Sequence, residues 1–369
     1  MGRILAGVLF LAACTDTGIE APNPTANPPG GVDTTQPGVV GEPIVQYTPQ
    51  VCGELSWTTG AAAARGPIDI AVMPRADGAQ VLAVPVAGGA ITGYTLSKEM
   101  NMQQVSSNLS LSSGYTMVSA SLVGNRLTAT GGDSGSLRVN VISDDLSQAQ
   151  QVDKLLPGFI AKPAFQVADG ITFMPVADDQ GLRIEQFDGQ WNATTTRVAT
   201  TEAATGMTAA RMGYTTVAAW STASNCYMMT LFGAAPGSLV TVPEACTSPH
   251  LAIDEASQKG ALVFQGTDGI RWIMTEHTGV VGVSQLLTRG GTSPRVVWDG
   301  QRYWISHIDM RGDIIVGTLQ NGRYQSTEIA GVRPTSDAYD LVMMNGSVWA
   351  VSFDDTSYQA NRLCLLPKN

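Results

Sequence analysis

Two stretches, TSPHLAIDEASQKGALVFQ (247–265) and TSPRVVWDGQRYWISHI (292–308), share one plan. Each has a proline turn, an apolar run, an Asp-containing turn and a second apolar run, and Pro249 and Pro294 lie 45 residues apart. Looser copies are GPIDIAVMPRADGAQVLAVPV (66–86), KPAFQVADGITFMPVAD (162–178) and TSDAYDLVMMNGSVWAVSFDD (335–355). Weaker ones are YTMVSASLVGNRLTATGGD (115–133) and GMTAARMGYTTVAAWST (206–222). The seven units begin near 66, 115, 163, 207, 249, 294 and 337, a spacing of 42–49 residues. A period of this size limits the fold strongly, because each unit must bury its apolar face against a neighbour of the same kind.

Each unit continues with two more strand-like runs, which in the sixth are DIIVGTLQNG and RYQSTEIAG around the Asn321-Gly322 hairpin signal. Four short strands per 40–50 residues is the period of a β-propeller blade. The expected fold is therefore all-β, a seven-bladed propeller of four-stranded antiparallel blades. One or two β-sandwiches would not repeat along the whole chain. An α-solenoid is excluded by weak helical periodicity and by 40 glycines. The seventh unit, AYDLVMMN, SVWAVSF and NRLCLLP, stops after three strands. Since an open last blade leaves an unpaired edge, QVCGELSW (50–57) is expected to supply the missing outer strand.

That assignment places Cys52 on the outermost strand of the last blade and Cys364 on its neighbour. Cys226 falls on the third strand of the fourth blade and Cys246 in or just after its fourth. The same geometry predicts disulfides Cys52–Cys364 and Cys226–Cys246, with the other two connectivities of four cysteines left open. Residues 50–369 form the propeller domain on this reading. Residues 14–49 carry seven prolines between 15 and 49 and few large apolar residues, which marks a tether.

The chain opens MGRILAGVLFLAAC, with Arg3, a short apolar run and small residues before Cys14. That run is too short to cross a bilayer, and residues 1–13 read as a signal peptide. Leu11-Ala12-Ala13-Cys14 resembles the lipobox of bacterial lipoproteins, in which the cysteine is acylated and becomes the new N-terminus. Taken together, lipobox, tether and repeat resemble the broad group of lipid-anchored bacterial β-propeller proteins. The likeness is one of architecture: WD, kelch double-glycine and YVTN signatures do not recur, so it brings no family active site. It implies an exported protein held on a membrane through its lipid. Thr15-Asp16 after the cysteine favours the outer membrane or the cell surface.

The run GGDSGS (131–136) is one residue from the serine loop of chymotrypsin-like proteases. Those enzymes need a histidine before the serine, and the first histidine here is His250. Ser134 is read as part of a hairpin turn. QGTDGIRW (265–272) is close to the sialidase Asp-box, but its Asp and Gly are adjacent where the motif separates them. Paired methionines such as Met228-Met229 and Met343-Met344 read as core filler. Trp220, Trp272, Trp298, Trp304 and Trp349 are expected to pack between blades.

Acidic residues gather in the turns between second and third strands: Asp133, Asp178, Asp179, Asp268, Asp309, Asp313, Asp354 and Asp355. They would give one face a negative charge able to attract a cation or a basic partner. A net charge of −10 speaks against nucleic acid. The first strands offer only Asp69, Arg211, His250, Asp254 and Asp340 as polar candidates, with no recurring ligand pattern. No catalytic residue, cofactor or metal site is assigned. The expected function is a non-enzymatic, monomeric binding or scaffold platform for a protein or glycan partner in the envelope. The alternative is a propeller hydrolase or lyase with a metal in its central channel.

Overall fold

The computed structural model describes residues 47–58, 68–86, 90–110, 117–123, 126–133, 136–143, 149–155, 157–160, 165–166, 170–242, 244–276, 279–320, 323–329, 332–334, 337–354 and 357–367. Cys14, most of the tether, Ser134, Asn321-Gly322 and Asp355 lie outside them.

Strand β1 (Tyr47–Thr58) begins three residues before the expected boundary at 50. It joins the last of seven antiparallel sheets. Sheet 1 holds β2 (Ala71–Pro74), β3 (Gln80–Val86), β4 (Ala90–Leu96) and β5 (Met102–Ser110). Sheet 2 holds β6 (Met117–Val123), β7 (Arg126–Asp133), β8 (Ser136–Ile142) and β9 (Ala149–Leu155). In sheet 3, β10 (Phe159–Ile160) and β11 (Phe165–Gln166) both pair with β12 (Thr172–Asp178), which is followed by β13 (Gly181–Phe187) and β14 (Ala193–Thr200). Sheet 4 holds β15 (Ala204–Met212), β16 (Thr215–Thr222), β17 (Cys226–Phe232) and β18 (Ala235–Val242). Sheet 5 holds β19 (Thr247–Asp254), β20 (Lys259–Gln265), β21 (Gly269–Glu276) and β22 (Gly279–Arg289). Sheet 6 holds β23 (Thr292–Trp298), β24 (Tyr303–Ile308), β25 (Ile314–Gln320) and β26 (Arg323–Glu328). Sheet 7 holds β27 (Tyr339–Met344), β28 (Ser347–Asp354) and β29 (Ser357–Pro367), with β1 as its outer strand. The fold is all-β and propeller-like.

The sequence pattern explains this layering. The second strands are buried on both faces, as in QVLAVPV, TTVAAWST and YWISHI, because each lies between two neighbouring sheets. Fourth strands such as β14 and β18 are mostly exposed, with small and polar residues. Seven apolar clusters follow from this, and each draws on two sheets. Six join consecutive sheets. The seventh joins sheet 1 to sheet 7 through Ile68, Leu82 and Tyr94 on one side and Trp349, Phe353 and Tyr358 on the other. Trp220, Trp304 and Trp349 are buried in these clusters, while Trp272 and Trp298 pack against one.

Both predicted disulfides are present. Cys52 and Cys364 have Cα atoms 6.0 Å apart, and Cys226 and Cys246 lie 5.6 Å apart. The first bridge sits on the β1–β29 pairing, beside the register shift between Val51 and Gly53. In sheet 3 the described part of AFQVAD (164–169), Phe165–Gln166, pairs with β12 as expected, and Phe159–Ile160 pairs further along the same strand. Around GGDSGS the ladder runs on to Asp133↔Ser136, so paired strands flank Ser134 as a hairpin requires. At Gly269 the backbone has φ +149°, and a Cβ there would fall 2.1 Å from the Thr288 carbonyl oxygen, so only glycine fits.

Candidate functional site

The first strands of the sheets meet one another, and their matching positions bring polar groups together. The Leu251 N–H of sheet 5 donates to Thr208 Oγ1 of sheet 4 over 3.2 Å. The Val296 N–H of sheet 6 donates to His250 Nδ1 of sheet 5, also over 3.2 Å. Arg295 Nε of sheet 6 lies 3.8 Å from Asp340 Oδ1 of sheet 7. The Ile70 N–H of sheet 1 donates to Asp340 Oδ2 over 2.8 Å. The Ala120 N–H of sheet 2 donates to the Asp69 carbonyl over 3.3 Å. One polar belt thus runs through sheets 4, 5, 6, 7, 1 and 2.

A cavity of about 350 Å³ opens on this belt, lined from sheets 1, 5, 6 and 7. Leu251, Val296 and Leu341 form buried parts of its wall. Val72, Ile253, Trp298 and Met343, further along the same strands, are half-buried lining residues. His250 and Asp340 lie earlier along theirs. Asp69, from the residues just before β2, completes a group in which one ligand atom each of Asp69, His250 and Asp340 falls within 4.8 Å of the others. The pocket is therefore apolar along one stretch and acidic along another, the usual composition of a small-ligand site.

Asp340 is 1% exposed, a depth at which an ionised carboxylate needs partners. It receives the Ile70 N–H and, over 2.8 Å, its neighbour's Leu341 N–H, with Arg295 behind it. His250 is held differently. Its Nδ1 accepts a hydrogen bond from the Val296 N–H, so the neutral ring carries its proton on Nε2. Two carboxylates and an imidazole are a donor set that borderline divalent cations accept. A ligating histidine, however, donates from its second ring nitrogen, whereas here that nitrogen accepts.

Asp69, His250 and Asp340 come from sheets 1, 5 and 7, and each directly precedes a residue of the pocket wall, Ile70, Leu251 or Leu341. His250, Arg295 and Asp340 follow the 45-residue spacing of Pro249 and Pro294, but the residue type changes from unit to unit, so the sequence shows no recurring ligand pattern. The other two first-strand candidates stay apart: Arg211 donates from Nε to the Gly213 carbonyl, and Asp254 caps the Ala256 N–H and Ser257 hydroxyl of its own hairpin.

The described acidic turn residues do sit at second-to-third strand hairpins, but arginines answer four of them. Asp178 is 6% exposed and pairs with Arg183 and Arg197. Asp268 pairs with Arg271, Asp309 with Arg311, and Asp313 with Arg311 and Arg333. Asp179 and Asp354 are exposed, and Asp133 ends β7. These pairings weaken the negative face that the sequence alone suggests. A feature not visible in the sequence is the fully buried pair Arg183 and Glu185 beside Asp178, with Arg183 Nε 2.6 Å from Glu185 Oε1.

No family model matches the chain, and no curated protein does. Among solved structures it is similar to Saccharomyces cerevisiae Sqt1, at 11% identity and a TM-score of 0.53 over 79% of this chain and 83% of that one. It is also similar to Kuenenia stuttgartiensis hydrazine synthase, at 12% identity and a TM-score of 0.55 over 84% of this chain and 98% of that one. Likeness at these identities concerns the fold alone and agrees with a propeller-like architecture.

Proposed function

We infer that the chain is a non-enzymatic lipoprotein of a bacterial cell envelope, a closed seven-bladed propeller on a tether that serves as a binding platform. Its partner is a protein or glycan of the envelope, and the pocket takes up one small group of it. The binding reading is carried by the cavity of about 350 Å³ lined from four sheets, with Asp340 buried in its wall. Closure of the ring is supported by the apolar cluster shared by sheets 1 and 7 and by the Ile70–Asp340 hydrogen bond. Export is supported by the two disulfides, which persist in oxidising compartments. The lipid rests on Leu11-Ala12-Ala13-Cys14.

Two measurements test this. Metabolic labelling with an alkyne palmitate should mark the wild type and leave Cys14→Ser unlabelled; equal labelling would remove the anchor. Native mass spectrometry of protein taken from envelopes should show a bound small molecule that Ala252→Phe, which fills the pocket wall, displaces. A metal-dependent hydrolase or lyase is the second reading, favoured by the convergence of Asp69, His250 and Asp340. The acceptor role of His250 Nδ1 weighs against it.

A further inference from the structure

We propose that one corner of the domain, the pair of turns at one end of sheet 4, rests on a lipid bilayer with anionic headgroups. This depends on the lipid-anchor reading and says which way the anchored domain faces.

The corner is built from two tight turns. Pairing of β15 with β16 ends at Met212↔Thr215, and pairing of β17 with β18 ends at Phe232↔Ala235. Thr216 pairs with Leu231 between them, so both turns project from the same end of the sheet. Tyr214 at the first tip is 99% exposed, and Phe232 beside the second is 58% exposed. Ala235 and Pro236 follow, also exposed. Exposed apolar groups that gather in one place mark a contact surface. Neither turn contains an acidic residue. Arg211 stands beside the first, where its Nε donates to the Gly213 carbonyl over 2.7 Å and holds an exposed guanidinium at the corner.

Two narrow tips suit a membrane better than a protein. A stable protein contact buries about 800 Å² per partner on a matching surface, and these tips offer neither that area nor a recess. A headgroup layer is soft and closes around whatever enters it. Aromatic rings settle at that level, and an adjoining arginine meets lipid phosphate.

The attachment of the chain favours the same face. In sheet 7, β1 enters at Tyr47 opposite Pro367, at the end where the β27–β28 turn also lies. Tyr214 occupies the equivalent first-to-second turn of sheet 4. These equivalent ends lie together from sheet to sheet. A Cβ on Gly213 would fall 3.6 Å from Gln258 Nε2 in the β19–β20 turn. The Tyr303 hydroxyl, just after the β23–β24 turn, donates to the Lys259 carbonyl over 3.0 Å. In sheets 6 and 7 the far ends meet, with Tyr339 donating to the Ser293 carbonyl, and Arg295 and Asp340 stay level. A chain anchored through Cys14 therefore draws this face towards the bilayer. The opposite face gathers Asp178, Asp179, Asp268, Asp309, Asp313 and Asp354, which anionic headgroups repel. Sheet 4 contributes nothing to the pocket wall, so this contact leaves the pocket open.

The test is quenching of a dye by lipid, on the full acylated chain. Nitrobenzoxadiazole is placed on Tyr214→Cys and, separately, on Met310→Cys, whose residue is exposed in a second-to-third turn of the opposite face. Each protein is reconstituted in vesicles of phosphatidylethanolamine and phosphatidylglycerol with brominated acyl chains. The dye at 214 should be quenched severalfold more than the dye at 310. Phe232→Ser and Arg211→Gln should each lower the quenching at 214, and replacing phosphatidylglycerol by phosphatidylcholine should remove the effect of Arg211→Gln. Equal quenching at both positions, or stronger quenching at 310, overturns the proposal while leaving the anchor in place. A dye at 214 that is unquenched in vesicles but shielded from aqueous dithionite in whole envelopes overturns it in favour of a protein partner. Flotation with the vesicles reads the anchor separately: if the wild type floats no better than Cys14→Ser, the anchor reading falls and this proposal falls with it.

Discussion

At the scale of single residues, a clear departure from ordinary chemistry lies outside the pocket, at His307 on β24. The ring is 3% exposed, its Nδ1 has no hydrogen-bond partner among the described residues, and Tyr324 packs 6.4 Å from it. Burial pushes its pKa down to about 4, with Asp309 pulling weakly the other way. A depressed histidine means that the unfolded chain binds the proton first. The stability gained from a neutral His307 is complete above about pH 6.5 and is lost as the pH falls through 6.5 towards about 4. Between pH 7 and pH 4.5 the expected loss is about 2 kcal/mol. His307→Leu should flatten this part of the stability curve, measured by urea unfolding at both pH values. An unchanged slope would assign the acid sensitivity elsewhere. Asp178 acts at lower pH. Burial alone would raise its carboxyl, but hydrogen bonds from Arg197, the Gln180 N–H and Arg183 outweigh that and hold it below the usual range. Its contribution is present above the unfolded carboxylate pKa and disappears as the pH falls through the folded one.

At the scale of strands, legibility follows burial. Second strands such as YWISHI and TVAAWST stand out in the sequence because neighbours cover both their faces. Their spacing located every sheet, and the three-strand seventh unit pointed to β1. In sheet 3, Phe165–Gln166 of KPAFQVAD pairs with β12 as expected, but that ladder also takes Phe159–Ile160, which precedes the repeat and carries no signal in its period. The pocket was legible only as single residues: Asp69, His250 and Asp340 were each visible on first strands, yet their convergence depends on how three sheets are placed. Arg183 and Glu185, two apart on β13, are fully buried, which nothing in the repeat pattern signals. The disulfides were readable because Cys52–Cys364 joins neighbouring strands of one sheet and Cys226–Cys246 joins β17 to the segment just after its neighbour β18. Their expected effects differ. The chain-entropy relation assigns about 5–6 kcal/mol to Cys52–Cys364, across 312 residues, and about 3 kcal/mol to Cys226–Cys246, across 20. Paired Cys→Ser variants should lower the melting temperature in that order, and a larger loss at 226/246 would refute the entropic account.

At the scale of the whole molecule, the seven clusters make each sheet depend on two others, and sheet 7 depends on β1 for its outer strand. A chain lacking residues 45–58 would leave β29 with an open edge, the kind of edge that recruits other chains. Such a chain should elute from size exclusion as larger species than the intact one, or aggregate. Monomeric behaviour of the shortened chain would show that β1 is dispensable.

Tyr47 pairs with Pro367 at one extremity of the β1–β29 ladder. The domain's first and last described residues are therefore adjacent, so a few glycines could splice them and new ends could be cut elsewhere. The tip between β15 and β16 invites that cut: Tyr214 is 99% exposed there, and Gly213 turns with φ +62°. In such a rewired molecule Cys52 and Cys364 would be separated by a handful of residues. Their bond would then enclose a small loop, and reducing it should cost only about 3 kcal/mol, although every atom of the bridge stays where it was.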